Sequence, residues 1–365
     1  MSMELHPLRV AEVAPVTDDS VAITFDVPDE LRDAYDFAHG QHLVLVREAG
    51  GEELRRTYSI CAPAGSGTLR VAVKRLEGGA FSSWAHSDLR AGDVLDVMTP
   101  GGRFTTALDP AHRRRYAAIA AGSGITPILS IAATILEREP DSEVALAYGN
   151  RTSGSIMFLE ELEDLKDRHP QRFQLFHVLS REPQPAELLS GRLDRERLAR
   201  FFDTLLLPDE VDEWFLCGPL ELIEGARALL RERGVPGERI HREVFHADRP
   251  APAARAAAAR AAAAGDGRAQ TEGAATVTAV LGGRASTLSV PRAGETILDA
   301  LLAVRSDAPY ACKGGVCGTC RCRVVAGETR MDLSYALEEA EIDSGFVLAC
   351  QAHPVSDTVT VDFDQ

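Results

Sequence analysis

Four cysteines carry the strongest chemical signal in the sequence. Three of them follow the spacing Cys-x4-Cys-x2-Cys and the fourth comes further along the chain: Cys312, Cys317, Cys320 and Cys350. This spacing is the ligand pattern of a plant-type [2Fe–2S] cluster, in which each of two irons takes two thiolates. Gly314, Gly315 and Gly318 allow the tight loop that such a cluster needs and let backbone N–H groups approach the sulfurs. The sequence therefore predicts a carrier of single electrons.

Two other uses of these cysteines fit less well. A zinc ribbon usually pairs two Cys-x2-Cys knuckles, and this chain has only one. Disulfides belong to oxidising compartments, and the start of the chain has no apolar segment typical of a secretion signal. We interpret Cys61 and Cys322 as structural cysteines outside the ligand spacing.

Size and composition describe an ordinary globular protein. The chain has 365 residues, enough for two or three domains, and 45% of them are hydrophobic. No apolar run approaches the roughly 18 residues that a spanning helix requires. The net charge of −16 argues against binding to nucleic acid or to anionic membranes. With seven cysteines and no targeting segment, we expect a cytoplasmic location.

The pattern of apolar residues divides the chain into four parts. Residues 1–109 hold short apolar or alternating runs between glycine turns, which predicts an antiparallel β-barrel. Residues 110–248 alternate apolar strands with longer helical patterns, which predicts a parallel sheet covered by helices on both faces. Residues 249–273 are dominated by alanine and read as a linker. Residues 274–365 contain the cysteine loop, so the predicted fold is multidomain α+β.

Two short motifs in the first part suit a flavin. Arg56, Thr57, Tyr58 and Ser59 close a strand and supply a cation for phosphate, an aromatic ring for stacking and a hydroxyl for the reactive nitrogen. Further along, a glycine turn opens a short helical run whose N–H groups fit a pyrophosphate, in the stretch Gly79, Ala80, Phe81, Ser82. Taken singly, each motif is also compatible with an ordinary strand end or a capped turn.

The second part carries a candidate nucleotide loop. A glycine turn follows the strand Tyr116–Ala121 and opens a helix, with the candidate residues Gly122, Ser123, Gly124, Thr126 and Pro127. The pattern departs from Gly-x-Gly-x-x-Gly, but the context of strand, turn and helix N-terminus is that of a phosphate site. Proline in the first helical turn loses no donor that the helix needs.

Two further sites lie past the ends of predicted strands. Arg151, Ser180 and Arg181 offer the arginine and hydroxyl donors that a ribose 2′-phosphate requires, which favours NADPH over NADH. Solvated loop arginines remain an open alternative. Cys217, Gly218 and Pro219 end another strand, where a small thiol beside glycine would allow close approach of a nicotinamide ring; a buried structural cysteine is the alternative.

In this order, the motifs resemble the ferredoxin–NADP reductase superfamily in the arrangement that has a plant-type ferredoxin domain at the C-terminus. The resemblance implies a Greek-key flavin barrel, an NADP-binding α/β domain and a β-grasp ferredoxin domain. It also implies that Phe245 covers the flavin, that FAD rather than FMN is bound, and that Ser59 and Cys217 are the catalytic residues. Within the superfamily the chain is most similar to reductase components of phenylacetyl-CoA epoxidase complexes.

The function that this resemblance implies is electron transfer from NADPH through FAD and the [2Fe–2S] cluster to a di-iron oxygenase component in phenylacetate catabolism. A reductase for a Rieske-type acceptor, such as that of a 3-ketosteroid hydroxylase, would use the same cofactors with another partner. An iron–sulfur redox sensor without turnover would explain the cysteines alone and leave the flavin and nucleotide motifs as coincidences.

Overall fold

The computed structural model describes residues 4–246 and 273–365. These residues form two compact units, and the boundary between the units falls between Phe245 and His246. The linker predicted at residues 249–273 lies outside the described residues, except for Gly273.

The first part of the larger unit is a six-stranded antiparallel sheet in the order β4-β3-β6-β1-β2-β5. Its elements are β1 (Leu5–Thr17), β2 (Ser20–Asp26), β3 (His42–Ala49), β4 (Glu52–Ser59), β5 (Leu69–Lys74), α1 (Ala80–Ser87) and β6 (Val94–Met98). An antiparallel bridge between Ile60 and Val71 joins the two edge strands β4 and β5 and closes the sheet into a barrel. The alternating apolar residues of these strands fill the interior, with Ile23, Leu43 and Leu45 fully buried.

The second part of this unit alternates strands and helices around a five-stranded sheet in the order β11-β10-β7-β8-β9. The elements are β7 (Arg115–Ala121), α2 (Ile125–Arg138), β8 (Glu143–Asn150), α3 (Leu159–Arg168), β9 (Phe173–Leu179), α4 (Arg195–Thr204), β10 (Glu213–Pro219), α5 (Leu220–Glu232) and β11 (Ile240–His246). The neighbouring pairs β10/β7, β7/β8 and β8/β9 are parallel, so their carboxyl ends share one edge of the sheet. Loops at that edge are the usual place for a ligand in such folds.

Helix α2 lies at the centre of the contact between the barrel and the parallel sheet. Twelve of its residues, from Ile125 to Leu136, are buried. The apolar cluster around it includes Cys61, Ala72 and Phe104 of the barrel part as well as residues of the parallel sheet. One continuous core therefore joins the two parts of the larger unit.

The smaller unit is a five-stranded mixed sheet in the order β13-β12-β18-β14-β16 with a separate two-stranded sheet of β15 and β17. Its elements are β12 (Ala274–Leu281), β13 (Arg284–Pro291), α6 (Ile297–Leu302), β14 (Arg321–Ala326), β15 (Thr329–Met331), α7 (Glu339–Asp343), β16 (Phe346–Leu348), β17 (Ala352–Pro354) and β18 (Thr358–Asp362). Gly282 and Gly283 both have positive φ angles at the two-residue turn between β12 and β13, which side chains with a Cβ rarely adopt. The cysteine loop lies between α6 and β14.

No helix among the described residues is both long and apolar enough to span a membrane.

Candidate functional site

The candidate flavin motif ends β4 beside an aromatic cluster. The ring centroid of Tyr58 lies 5.5 Å from that of Phe81, which in turn lies 5.6 Å from that of Trp84 in an edge-on contact. The guanidinium of Arg47 sits 4.1 Å above the Trp84 ring. Burial raises the pKa of Tyr58, so its phenol stays neutral. The two sequence motifs thus meet in space, but Phe81, predicted to bind the cofactor, is only 1% exposed in the barrel core and packs behind Tyr58.

The glycine turn before α1 has a fixed internal geometry. The Oγ atom of Ser82 accepts a hydrogen bond from the Leu76 N–H at 3.1 Å and donates to the Gly79 carbonyl at 3.3 Å. A Cβ atom on Gly79 would lie only 2.4 Å from this Oγ, so a larger residue would push the Ser82 hydroxyl out of these hydrogen bonds. The Ser82 hydroxyl therefore shapes the loop that the sequence assigns to the pyrophosphate.

Two other residues of the motif fit a bound flavin. Arg56 is exposed, and its Nη1 donates to the Arg55 carbonyl at 2.7 Å, which leaves other donors of its guanidinium directed to solvent. The Thr57 hydroxyl is buried and has no hydrogen-bond partner among the described residues. A buried polar atom without a partner is costly, and a flavin with its many polar ring atoms would satisfy it. The residues present therefore fit a flavin.

Ser59 is tied to a carboxylate that the sequence analysis did not single out. Its Oγ donates a hydrogen bond of 2.7 Å to Oε2 of Glu243, on β11. The other oxygen of Glu243 lies 3.8 Å from Nδ1 of the buried His42. The sequence offered one indication of Glu243, since it is two residues before Phe245 on the same strand. Because Glu243 and Ser59 are 184 positions apart in the sequence, no local pattern predicts that they pair.

The charge of Glu243 also acts on Cys217, the candidate nicotinamide residue. Cys217 is fully buried at the end of β10, and burial together with the charge of Glu243 raises its pKa well above the ordinary thiol value. The thiol is therefore neutral and contributes a small polarizable surface, not a nucleophile. Ser59 and Cys217, the two predicted catalytic residues, thus both lie around Glu243.

The candidate nucleotide loop packs directly on this position. A Cβ atom on Gly124 would lie 2.2 Å from the Cys217 carbonyl oxygen, so only glycine permits the contact. Gly218 has a φ of +156°, and a Cβ atom there would lie 3.3 Å from the backbone nitrogen of Ala121. The structure therefore brings the loop at residues 122–127 and the segment 217–219 together at the N-terminus of α2.

Two hydrogen bonds to carbonyl oxygens fix the conformation of the loop at residues 122–127. The hydroxyl of the buried Tyr148 donates to the Gly122 carbonyl at 2.9 Å, and the Thr126 hydroxyl donates to the Ser123 carbonyl at 3.1 Å. Pro127 is buried in the first turn of α2. A Cβ atom on Gly122 would meet nothing within 4 Å, so the space beside it is free of described atoms. An open helix N-terminus of this kind suits a phosphate.

The predicted 2′-phosphate residues are neighbours at the carboxyl edge of the sheet. The Ser180 N–H donates to the Asn150 carbonyl at 2.9 Å, and the Arg181 N–H donates to the Arg151 carbonyl at 2.8 Å, so the strand pairing continues beyond β8 and β9. Both arginine side chains are exposed. Within residues 4–246 and 273–365, neither has a carboxylate at ion-pair distance. They are available to an anionic group of a nucleotide.

Phe245 lies near the end of β11 and packs, half-buried, against the core around α2. Its role in covering a flavin stays a prediction.

The four predicted cluster ligands among the five cysteines of the smaller unit form two pairs. A hydrogen bond from the Cys317 thiol, which outweighs the effect of burial, lowers the pKa of Cys312 to about 5. In the same way, a hydrogen bond from the Cys320 thiol lowers the pKa of Cys350. Two pairs are the division that a dinuclear cluster requires, because each iron takes two thiolates.

Backbone donors surround the first pair. The Gly314 N–H donates to the Cys312 sulfur at 3.3 Å, and Gly315 and Gly318 have positive φ angles that curl the loop. In the part of the chain that the structure describes, no group of three or more His, Cys, Asp or Glu side chains is placed to hold a metal ion as it stands. The paired thiols with their N–H donors fit a [2Fe–2S] cluster better than the single tetrahedral ion of a zinc site.

Three family models match the chain in the order of its parts. The oxidoreductase FAD-binding domain matches residues 7–106, the oxidoreductase NAD-binding domain matches residues 118–228, and the 2Fe-2S iron-sulfur cluster binding domain matches residues 280–355. The chain belongs to the flavin- and [2Fe–2S]-containing oxidoreductases that serve as reductase components of oxygenases.

Similar proteins refine this assignment. The chain is 45% identical over 359 residues to one of the proteins that make up the 1,2-phenylacetyl-CoA epoxidase of Escherichia coli, with 98% of each chain covered. It is 34% identical over 359 residues to the ferredoxin reductase component of 3-ketosteroid-9-alpha-monooxygenase of Rhodococcus rhodochrous, covering 98% of this chain and 96% of the relative. The first relative is a subunit of an epoxidase, and the second is the ferredoxin reductase component of a monooxygenase.

A solved structure supports the architecture. Phthalate dioxygenase reductase superposes with a TM-score of 0.60 over 98% of both chains at 23% identity, which is evidence of fold alone. The predicted fold class, with a flavin barrel, a parallel-sheet nucleotide domain and a C-terminal ferredoxin domain, is confirmed.

Proposed function

We propose that this chain is an NADPH-dependent reductase that passes electrons through FAD and a [2Fe–2S] cluster to the di-iron oxygenase of a phenylacetyl-CoA epoxidase system. When bound, the two cofactors would supply the redox chemistry, which converts the electron pair of a hydride into single electrons. The observation that carries the proposal is the hydrogen bond between Ser59 and Glu243, which joins the flavin motif to the nucleotide domain.

The chain's own residues position the reactants. Tyr58, packed against the buried Phe81, would stack on the flavin, and Arg56 and the turn at Gly79 would bind its phosphates. Ser59, whose hydroxyl donates its hydrogen to Glu243, would present its oxygen as an acceptor at the reactive edge of the flavin ring. Gly124 lets the nucleotide loop pack directly on the Cys217 backbone, which would hold the N-terminus of α2 close to that edge. The work of these residues is orientation and exclusion of water rather than acid–base chemistry.

The preference for NADPH is supported by Arg151 and Arg181. They lie on adjacent, backbone-paired loops at the carboxyl edge of the sheet, with side chains that form no ion pair among the described residues. A ribose 2′-phosphate is the group that would use two such guanidinium ions, and Ser180 between them adds a hydroxyl.

The identity of the partner is supported by sequence similarity alone. The 45% identity to the phenylacetyl-CoA epoxidase protein is higher than the 34% identity to the 3-ketosteroid monooxygenase reductase, and both span nearly whole chains. Purified protein would therefore be mixed separately with the oxygenase component of each system, and NADPH-dependent product formation measured. Turnover with the epoxidase oxygenase alone would support the proposal. Turnover only with the ketosteroid oxygenase would replace it by the second candidate.

The cofactor route would be measured by anaerobic stopped-flow absorbance with NADPH and then with NADH. We expect rapid bleaching of the flavin band followed by loss of the cluster bands, faster with NADPH. Bleaching of the flavin without a response of the cluster would refute the electron route. Equal rates with both nucleotides would refute the 2′-phosphate assignment while leaving the route intact.

A further inference from the structure

A buried glutamine follows the last cysteine of the predicted cluster site. Gln351 is only 1% exposed. Its Nε2 donates to the Cys350 carbonyl at 2.7 Å and to the Lys313 carbonyl at 3.1 Å, and lies 3.5 Å from the Cys350 sulfur. The two N–H groups of this nitrogen therefore face three acceptors, so that one N–H is shared between two of them, and one of the three is the sulfur of a predicted cluster ligand.

The orientation of this amide follows from its neighbours. Carbonyl oxygens only accept hydrogen bonds, so the end of the Gln351 side chain that faces two of them must be the NH2 group. The opposite end, Oε1, is buried without a hydrogen-bond partner in the described parts of the chain. An unpaired buried acceptor is unfavourable, which indicates that the contacts of the NH2 group offset that cost.

These contacts connect the two thiol pairs. Lys313 belongs to the loop between Cys312 and Cys317, whereas Cys350 belongs to the other pair. Lys313 has a φ angle of +48°, in the left-handed region that residues with side chains rarely adopt. A Cβ atom on Gly315 would lie 3.2 Å from Cγ of Gln351, so the loop also packs on the glutamine stem. The hydrogen bond to the Lys313 carbonyl holds the strained part of the loop in place.

We propose that Gln351 is a positioning residue of the cluster site, whose amide holds the cysteine loop against Cys350 and directs an N–H group at the Cys350 sulfur. A hydrogen bond to a ligand sulfur withdraws electron density and favours the more negative, reduced state of a cluster. Gln351 therefore raises the reduction potential of the cluster and slows the loss of the cluster from the protein. This inference rests on the proposed function, because it requires that the four cysteines bind the cluster.

The test compares the full-length protein with Gln351→Met, which keeps an unbranched side chain and removes the N–H donors. Gln365→Met, the same change at an exposed position of the same unit, is the matched control. The cluster midpoint potential would be measured by an anaerobic redox titration followed by electron paramagnetic resonance. Loss of cluster absorbance in the presence of an iron chelator would be followed separately.

We expect Gln351→Met to show a more negative midpoint potential and at least a severalfold faster loss of the cluster, with Gln365→Met like the wild type. A potential equal to that of the wild type would overturn the inference. If Gln351→Met assembles no cluster, the double variant Lys313→Gly/Gln351→Met should restore assembly, because glycine adopts the left-handed conformation without support. Failure of that rescue would also overturn the inference. Absence of a cluster from the wild-type protein would instead refute the proposed function.

Discussion

At the scale of single residues, the contact between Ser59 and Glu243 joins the end of the flavin motif to the last strand of the nucleotide domain. Replacement of Ser59 by alanine removes the hydroxyl but leaves the contact between the Tyr58 and Phe81 rings unchanged. We expect NADPH-dependent flavin reduction to slow by about tenfold or more, since a hydrogen bond to a charged group contributes about 1.5–3 kcal/mol. Stopped-flow absorbance measures the rate, and Ser59→Thr, which keeps a hydroxyl, is the control. An unchanged rate would remove Ser59 from the mechanism.

Nucleotide choice is also a property of single residues. Arg181→Ala removes one of two guanidinium ions proposed to bind the 2′-phosphate, while the main-chain pairing with Arg151 remains possible. We expect KM for NADPH to rise about tenfold or more, because a charge-assisted contact is lost, with KM for NADH nearly constant. The control is Arg195→Ala, in which an exposed arginine loses its ion pair with Glu232. Parallel changes in both KM values would contradict the assignment.

At the scale of elements, helix α2 determines how the flavin strand meets the nucleotide loop. Its Ser130 hydroxyl donates to the Ala62 carbonyl at 2.7 Å, and its Thr134 hydroxyl accepts from the Ala64 N–H at 2.9 Å. Residues 62–64 follow closely after Ser59, and α2 begins directly after the loop at residues 122–124. The helix therefore links the two motifs through buried hydrogen bonds.

Thr134→Val keeps the shape of this side chain and leaves the Ala64 N–H without its partner. We expect the free energy of unfolding of the larger unit to fall by about 1–3 kcal/mol, the cost of an unpaired buried donor. Urea unfolding followed by tryptophan fluorescence measures the loss, because both tryptophans of the chain, Trp84 and Trp214, lie in this unit. Thr134→Ser should retain most of the stability. A valine variant as stable as the wild type would show that the hydrogen bond carries no net stabilisation.

Elements with a regular pattern were predictable from the sequence, and those with unusual chemistry were not. The βα alternation predicted the strands and helices from β7 to α5, and Pro127 lies in the first turn of α2, which begins at Ile125. Strand β1 contains Pro7 and Pro15, which interrupt any regular apolar pattern, although the strand pairs on both sides. Local spacing identifies the cysteine loop, whereas the partners of Ser59 and Gln351 depend on long-range contacts that no local pattern encodes.

At the scale of the whole molecule, acid should weaken the larger unit through His39. This residue is 4% exposed, and its Nε2 accepts a hydrogen bond from the Thr106 N–H at 3.3 Å, which requires a neutral ring. Burial, together with the charge of Arg138, lowers the pKa of His39 to about 4. Because the folded pKa lies below the unfolded value near 6.5, the stabilisation is complete above pH 6.5 and is lost as the pH falls toward 4.

The loss assigned to His39 is about 3 kcal/mol over this range. His39→Gln keeps an acceptor and cannot titrate, so its unfolding free energy should depend less on pH between about 6.5 and 4 than that of the wild type. Urea unfolding at a series of pH values measures the slope, with His86→Gln on α1 as the control. Equal slopes for wild type and His39→Gln would show that other groups cause the acid sensitivity.

The division into two compact units predicts that the redox sites can be separated functionally. All four cysteines predicted to bind the cluster lie in the smaller unit, whereas Ser59, Glu243 and Cys217 lie in the larger one, and each unit has its own apolar core. Cys317→Ser removes a ligand that has no role in the core around α2. We therefore expect the cluster to be lost, with flavin reduction by NADPH changed less than about twofold, because the residues that contact the flavin and the nucleotide are intact.

Cytochrome c reduction should fall about tenfold or more if the cluster is the exit for single electrons. Stopped-flow absorbance and steady-state cytochrome c assays measure the two steps, and Cys322→Ser, outside the ligand pattern, is the control. Full cytochrome c reduction without a cluster would show that electrons leave the protein from the flavin.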